Sequence, residues 1–160
     1  MLAQALKKRL SKEENQKGFT LIELLAVIVI LGIISVIAVP MITNIISKSR
    51  KDADVATARQ VYDAARLYVT SELEGKFTST STTGLTITIG PKATASSLQG
   101  KGYLEDPLYL PSTKDEIDGG SVTFNTDGSL NQVTITTTAT TDPTPFTADE
   151  VMSGKPSTTR

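Results

Sequence analysis

The feature that most constrains this chain is a run of 24 uncharged residues near its N-terminus, residues 24–47. The run is rich in isoleucine, valine and leucine, and a helix of that length extends about 36 Å at about 1.5 Å per residue. Because the hydrocarbon core of a bilayer is about 30 Å thick, the segment is long enough to span a membrane. A single carboxylate, Glu23, stands immediately before the run and has to be explained.

Two general interpretations of the span are an ordinary secretory signal peptide and a simple transmembrane anchor. The small residues at 35–38 could form a signal-peptidase site, in which case the mature protein would begin at Val39. However, the apolar core of a signal peptide is about 7–15 residues long, and this run continues well past Ala38. A carboxylate in the membrane costs about 2.5–3.5 kcal/mol unless it is neutralised or paired, so an anchor gains nothing from Glu23.

Residues 17–23 read Lys-Gly-Phe-Thr-Leu-Ile-Glu, and the apolar run follows them directly. Over residues 17–40 this arrangement resembles the class III signal of type IV pilins and pseudopilins. The resemblance implies that a membrane prepilin peptidase cleaves between Gly18 and Phe19 and methylates the new amino group of Phe19. It also implies that the apolar helix is retained in the mature protein, unlike a secretory signal.

The same resemblance gives Glu23 a role in assembly, in which its carboxylate pairs with the N-terminal amine of a neighbouring subunit. Such a pair agrees with electrostatics, because a buried carboxylate is penalised only when no opposite charge faces it. A catalytic role is disfavoured, since the chain has no histidine or cysteine and no second acid stands close to Glu23. We therefore predict no enzymatic activity, no catalytic residue and no cofactor.

Charge is unevenly distributed along the chain. Residues 1–18 carry five basic and two acidic residues, and residues 19–160 carry eleven basic and fifteen acidic ones. Positive charge beside a span marks its cytoplasmic side, so residues 1–18 are expected to be a cytoplasmic leader and the remainder to lie outside. The mild acidity of residues 19–160 gives no strong nucleic-acid signal. The chain has no cysteine, so no disulfide can cross-link the exported part.

Two residues weaken the helix within residues 19–47. Pro40 lacks an N–H and its ring clashes with the carbonyl of Val36, while Gly32 costs about 1 kcal/mol relative to alanine in a helix interior. In filaments of similar pilins the segment between such a glycine and proline loses helicity. We expect residues 32–40 to be helical or gently bent in the monomer and to melt on assembly.

An amphipathic helix is predicted over residues 48–74, with Gly75 as its stop. Its apolar positions recur at steps of three or four residues, the helical period: Val55, Ala58, Tyr62, Ala65, Val69 and Leu73. A helix continuous from about residue 19 to 74 would be roughly 80 Å long. The first half of such a rod must lie in lipid or against copies of itself, and the second half can support a domain.

Residues 75–140 are predicted to form a small β-sheet head, which makes the fold class α+β. Residues 85–89 alternate as a strand does, and residues 121–125 and 130–138 flank a turn that contains Asp-Gly, as in a β-hairpin. Inward-facing residues of this hairpin are expected to pack on the long helix: Val122, Phe124, Val133 and Ile135. Residues 141–160 are rich in proline, threonine and aspartate and are predicted to be a loosely ordered tail with a short turn at 148–152.

One acidic cluster raises the question of a metal. Asp115, Glu116 and Asp118 precede two glycines, and oxygen ligands suit calcium. Acids in a polar loop are ordinarily solvated, and their spacing matches no calcium-binding loop. A calcium site is therefore the less favoured interpretation, and no metal is predicted.

Taken with the resemblance, these features predict a structural subunit that polymerises through its N-terminal helix into a helical homo-oligomeric filament. Its partners would be membrane lipid before assembly, the prepilin peptidase, an assembly ATPase and a membrane platform protein. The subunit would be a single-pass membrane protein first and part of a cell-surface pilus afterwards. The lack of a cysteine pair departs from disulfide-closed pilin heads and fits a Gram-positive type.

Two alternatives remain from the sequence alone. A pseudopilin of a type II secretion or competence DNA-uptake system shares the same N-terminal chemistry. A monomeric exported protein with an ordinary signal peptide would lose the apolar run instead of keeping it.

Overall fold

A computed structural model describes residues 19–78 and 84–157 of the chain. The elements follow in the order α1 (Leu21–Glu72), β1 (Thr86–Thr88), β2 (Ile117–Phe124), β3 (Leu130–Thr137), β4 (Thr140–Thr147) and α2 (Ala148–Ser153). The chain divides into two compact units, Met1–Asn44 and Ile45–Arg160, which are described separately below.

The N-terminal unit contains the first part of α1. Within residues 19–44 no side chain is buried, and only Ala38 is half-buried. The large apolar side chains there are between about half and almost fully exposed, from Val27 at 48% to Leu21 at 86%. This stretch of helix has no hydrophobic core of its own.

The C-terminal unit holds the core, and one face of α1 contributes a large share of it. The buried residues of the helix all lie in this unit: Val55, Thr57, Ala58, Val61, Tyr62, Ala64, Ala65 and Val69. The predicted apolar period is confirmed, with Leu73 partly buried at its end. The helix ends at Glu72, and Gly75 follows with φ +74° and donates its N–H to the Val69 carbonyl at 3.0 Å. A left-handed glycine of this kind satisfies carbonyls at a helix end, as predicted.

A four-stranded antiparallel sheet, in the order β1-β2-β3-β4, forms the other side of this core. The predicted residues Val122, Phe124, Val133 and Ile135 are 0–1% exposed. Val122 lies opposite Val133 in the register of β2 and β3. Tyr62 of α1 and Phe77 pack against Phe124, with ring centroids at 5.9 Å and 5.2 Å. The long helix, the antiparallel sheet and their shared core confirm the predicted α+β class.

The turn between β2 and β3 is the predicted Asp-Gly turn. Gly128 has φ +83° and donates its N–H to the Asn125 carbonyl at 3.0 Å. The Asp127 carboxylate accepts the Ser129 N–H at 2.8 Å and its hydroxyl at 2.6 Å. These hydrogen bonds hold the pKa of Asp127 below its ordinary value.

The prediction of a loosely ordered tail is wrong for residues 141–147, and the short turn predicted at 148–152 is present as the helix α2. β4 pairs with β3 over most of its length, and α2 follows it directly. Phe146 and Val151 are buried in the core at 1% and 0% exposure. Proline-rich composition misled the prediction, because an edge strand accommodates prolines that an inner strand cannot. The head therefore extends beyond residue 140 through α2.

A long loop between β1 and β2 is tied both to the sheet and to α1. The Leu98 and Gln99 N–H groups donate to the carbonyls of Thr88 and Ile89, each at 3.0 Å. Lys101 donates to the carboxylate of Glu72 at 3.1 Å. This hydrogen bond, with the lysine charge and a second hydrogen bond from the Tyr103 hydroxyl, holds the pKa of Glu72 below its ordinary value.

Candidate functional site

The first turn of α1 is closed by a reciprocal pair of side chains, Thr20 and Glu23. The Glu23 carboxylate accepts the Thr20 N–H and the Thr20 hydroxyl, both at 2.8 Å. The Thr20 hydroxyl in turn accepts the Glu23 N–H at 3.3 Å. This is a capping box, in which a threonine before the helix and a glutamate in its first turn satisfy donors that the helix leaves free.

The capping box lies beside the predicted processing site. Phe19 is 85% exposed and directly precedes Thr20. Gly18, the other residue of the predicted cleavage, lies outside the described residues. A new amine on Phe19 would be one residue from Thr20, and Glu23 is held within the same first turn. The pattern Thr-x-x-Glu before an apolar run is a recognised helix-start signal. Sequence analysis assigned Glu23 to assembly and missed this local role.

The surface that follows the capping box is apolar all round. Among the described residues, α1 alone is long and apolar enough to cross a membrane by length and composition, and the most apolar part of it is not buried at all. Burying a leucine, isoleucine or valine side chain is worth about 1.5–3 kcal/mol. So many exposed apolar side chains require lipid or other protein chains around them.

The structure is helical through Gly32 and Pro40, both of which lie inside α1. Two hydroxyls in this region donate to carbonyls one turn earlier, Ser35 to Leu31 at 2.7 Å and Thr43 to Val39 at 2.9 Å. The helical part of the expectation for residues 32–40 is therefore confirmed. Melting on assembly stays a prediction.

The acidic cluster at residues 115–118 is not assembled into a metal site. Within the parts of the chain that the structure describes, no group of three acidic side chains is placed to hold a metal ion. Asp118 is exposed in β2, whereas Glu116 forms an isolated bridge with Tyr109.

The C-terminal segment contains a second capping box that sequence analysis also missed. Glu150 of α2 is 5% exposed, and its carboxylate accepts the Thr147 N–H at 2.8 Å and the Thr147 hydroxyl at 2.9 Å. Its other oxygen accepts the Ser157 N–H at 2.7 Å. Arg59 of α1 donates to the carbonyls of Val151 and Met152 at 3.2 Å and 3.3 Å. These contacts hold α2 and Ser157 against the rest of the head.

Comparison with known proteins identifies the class to which these features belong. A family model described as the prokaryotic N-terminal methylation motif matches residues 15–39. That segment contains the predicted cleavage site, the capping box and most of the apolar run.

Relatives extend the similarity beyond this motif. A fimbrial protein of Pseudomonas aeruginosa is 34% identical over 118 residues, which are 74% of this chain and 66% of that protein. The type IV major fimbrial protein FimA of Dichelobacter nodosus is 35% identical over 106 residues, 62% of this chain and 67% of that protein. The type IV major alpha-pilin of Moraxella bovis is 49% identical over 53 residues, 31% of this chain and 33% of that protein. No solved structure matches the chain.

The chain belongs to the type IV pilin family and carries that family's class III signal. The family consists of structural proteins and not enzymes. The match spans just under two thirds of the Pseudomonas relatives, at 66%, and one third of the Moraxella alpha-pilin, at 33%.

Proposed function

We propose that this chain is the structural subunit of a type IV pilus-like filament on the cell surface, formed by polymerisation through α1. The observation that carries the proposal is the apolar surface of α1 ahead of the head, which has no partner among the described residues. Lipid covers this surface before assembly, and the same surface of other copies covers it in the filament. The fimbrial relatives favour a pilus over a secretion or competence pseudopilus.

Processing precedes assembly in this proposal. The prepilin peptidase removes residues 1–18 by cutting between Gly18 and Phe19, and Phe19 becomes the N-methylated first residue. Residues 1–18 hold five basic residues, each of which costs about 2.5–3.5 kcal/mol at the centre of a membrane. Their removal leaves an N-terminus that can leave the bilayer with the helix. An assembly ATPase and a membrane platform protein supply the work of extraction.

Glu23 then acts at two stages. Before assembly its carboxylate is held by the Thr20 N–H and hydroxyl, which supply hydrogen bonds to a charge at the edge of the membrane. In the growing filament the carboxylate accepts the amine of a neighbouring Phe19. The exchange replaces neutral donors with a cationic one, so the hydrogen bond to the carboxylate gains the attraction between opposite charges. Thr20 is thus a positioning residue for Glu23.

The experiment that tests this function is intact-mass and N-terminal sequencing of the protein from its host, together with electron microscopy of the cell surface. We expect a chain that begins at methylated Phe19 and filaments that contain it. A mature chain beginning at Val39 would establish the ordinary secretory signal instead. Correct processing without filaments, combined with loss of secretion or transformation on gene deletion, would establish a pseudopilin.

A further inference from the structure

The outer edge of β4 is one of the two ends of the sheet, because β4 is the last strand in the order β1-β2-β3-β4. An edge strand ordinarily presents unpaired N–H and C=O groups on which another chain can add a strand. The use of each backbone donor along β4 therefore decides whether a second copy can pair there.

Two residues of β4 have no donor at all, since Pro143 and Pro145 lack an N–H. Pro145 lies opposite Thr134 in the register, so this pair is of the non-hydrogen-bonded type, and the backbone of Pro145 faces away from β3. Neighbouring pairs of an antiparallel ladder alternate between the two types. The flanking residues, Thr144 and Phe146, accordingly direct their N–H groups toward β3.

The remaining donors between residues 142 and 147 are used within the chain. The Asp142 N–H donates to the Thr140 hydroxyl at 3.1 Å. The Thr147 N–H donates to the Glu150 carboxylate at 2.8 Å. From residue 142 to 147, every backbone N–H is therefore absent, bound locally or directed to β3, and none is offered to the outer edge.

The strand that β4 covers is the part of the sheet that most needs covering. β3 reads Leu-Asn-Gln-Val-Thr-Ile-Thr-Thr, with neither a charged residue nor a proline. Segments with high β-propensity, low charge and no proline are those that stack into intermolecular sheets. β4 pairs with β3 from Gln132 to Thr137 and so occupies its free side.

We infer that β4 closes its own edge of the sheet to strand addition by a second copy of this chain, through Pro143, Pro145 and the Thr147–Glu150 capping box. Contacts between heads at this edge must then use side-chain surfaces and not a shared sheet. This inference rests on the fold and not on the proposed function. In a filament it gains importance, because linked neighbours are present at high effective concentration.

The test restores the missing donors in the full-length chain, purified in detergent, by the double variant P143T/P145T. Threonine favours strands, and both prolines are exposed, so the inner face of the sheet is unchanged. The matched control is P111T, which changes an exposed loop proline outside the sheet. Two probes are used: sedimentation equilibrium for self-association, and binding of a synthetic peptide with the sequence of residues 130–137.

We expect the double variant to self-associate and to bind the peptide roughly tenfold more tightly than wild type or P111T, given two restored hydrogen bonds of modest net strength. The single variants P143T and P145T should show association and peptide binding between those of wild type and the double variant. They replace the double variant in the comparison if it loses its native circular dichroism. Equal association and peptide binding in wild type, control and every folded variant would overturn the inference. Filament formation by P111T is scored separately and should be unchanged. A failure of this inference can then be told from a failure of the proposed function.

Discussion

Among substitutions of a single polar side chain, we expect Glu150→Ala to lower the stability of the head most. The Glu150 side chain is 5% exposed, and its two oxygens accept the Thr147 N–H, the Thr147 hydroxyl and the Ser157 N–H at 2.7–2.9 Å. Removing the carboxylate leaves two backbone donors without this acceptor, at about 1–3 kcal/mol each when they stay out of water. The Thr147 hydroxyl still accepts the backbone N–H of residue 150, so the helix cap itself is kept. Since the two freed N–H groups can partly rehydrate, we expect a loss of about 3 kcal/mol in the free energy of unfolding.

The assay is urea unfolding of the fragment 45–160, which contains every buried core residue of the described chain. At a denaturant slope of about 1–3 kcal/mol per molar urea, the midpoint should fall by about 1–3 M. Glu150→Gln keeps one accepting oxygen and should lose about half as much, roughly 1–2 kcal/mol. The matched control is Asp149→Ala, an exposed acid in the same helical turn, whose helix-dipole contribution is about 0.3–1 kcal/mol. Equal losses in Glu150→Ala and Asp149→Ala would refute the reasoning.

Three further predictions concern the rest of the chain. Glu23→Ala should be cleaved and methylated normally, as checked by mass spectrometry, but should yield few filaments by electron microscopy; a wild-type yield would remove the pairing role. Gly84→Ala places a methyl group on the Phe124 carbonyl and should cost about 1–3 kcal/mol in thermal unfolding, whereas Gly32→Ala meets nothing within 4 Å; equal effects would contradict this packing. Glu72→Gln should reduce the loss of stability in acid. The pKa of Glu72 is lowered in the folded state, so its contribution to stability is present above pH 4.5 and is lost as the pH falls through the lowered pKa. Parallel melting curves for wild type and Glu72→Gln between pH 7 and pH 3 would show that the contact with Lys101 does not matter.

Much of the fold could be predicted because local patterns and tertiary packing agree. The apolar positions of α1 recur with the helical period and are the buried ones, from Val55 to Val69. The Asp-Gly turn and the alternation of Val122, Phe124, Val133 and Ile135 likewise specify a hairpin with one buried face. In each case the residues that set local structure also form the core, so the sequence pattern is unambiguous.

The C-terminal segment could not be predicted, because its composition and its packing point in opposite directions. Prolines and threonines over 140–147 are typical of a disordered tail, yet this strand pairs with β3 and buries Phe146 in the core. The contacts of Arg59 with Val151 and Met152 join residues more than 90 positions apart, which no local pattern encodes. The hydrogen-bonded geometry at the start of α1 was not predicted. The Thr20–Glu23 capping box could have been predicted from the pattern Thr-x-x-Glu. It was not predicted because Glu23 already had a role in assembly.

The N-terminal unit has one consequence for how copies find their positions. Its apolar side chains are exposed around the whole circumference of α1, so they attract neighbours equally from any direction and at many axial offsets. Attraction of this kind gives strength but little choice of register, because one isoleucine or valine substitutes for the next when two helices slide. In a bundle of such helices, the orientation and axial offset of neighbours must therefore be set at the few positions with polar or charged side chains. In residues 19–47 the one charged side chain is Glu23, at the very end of the cylinder.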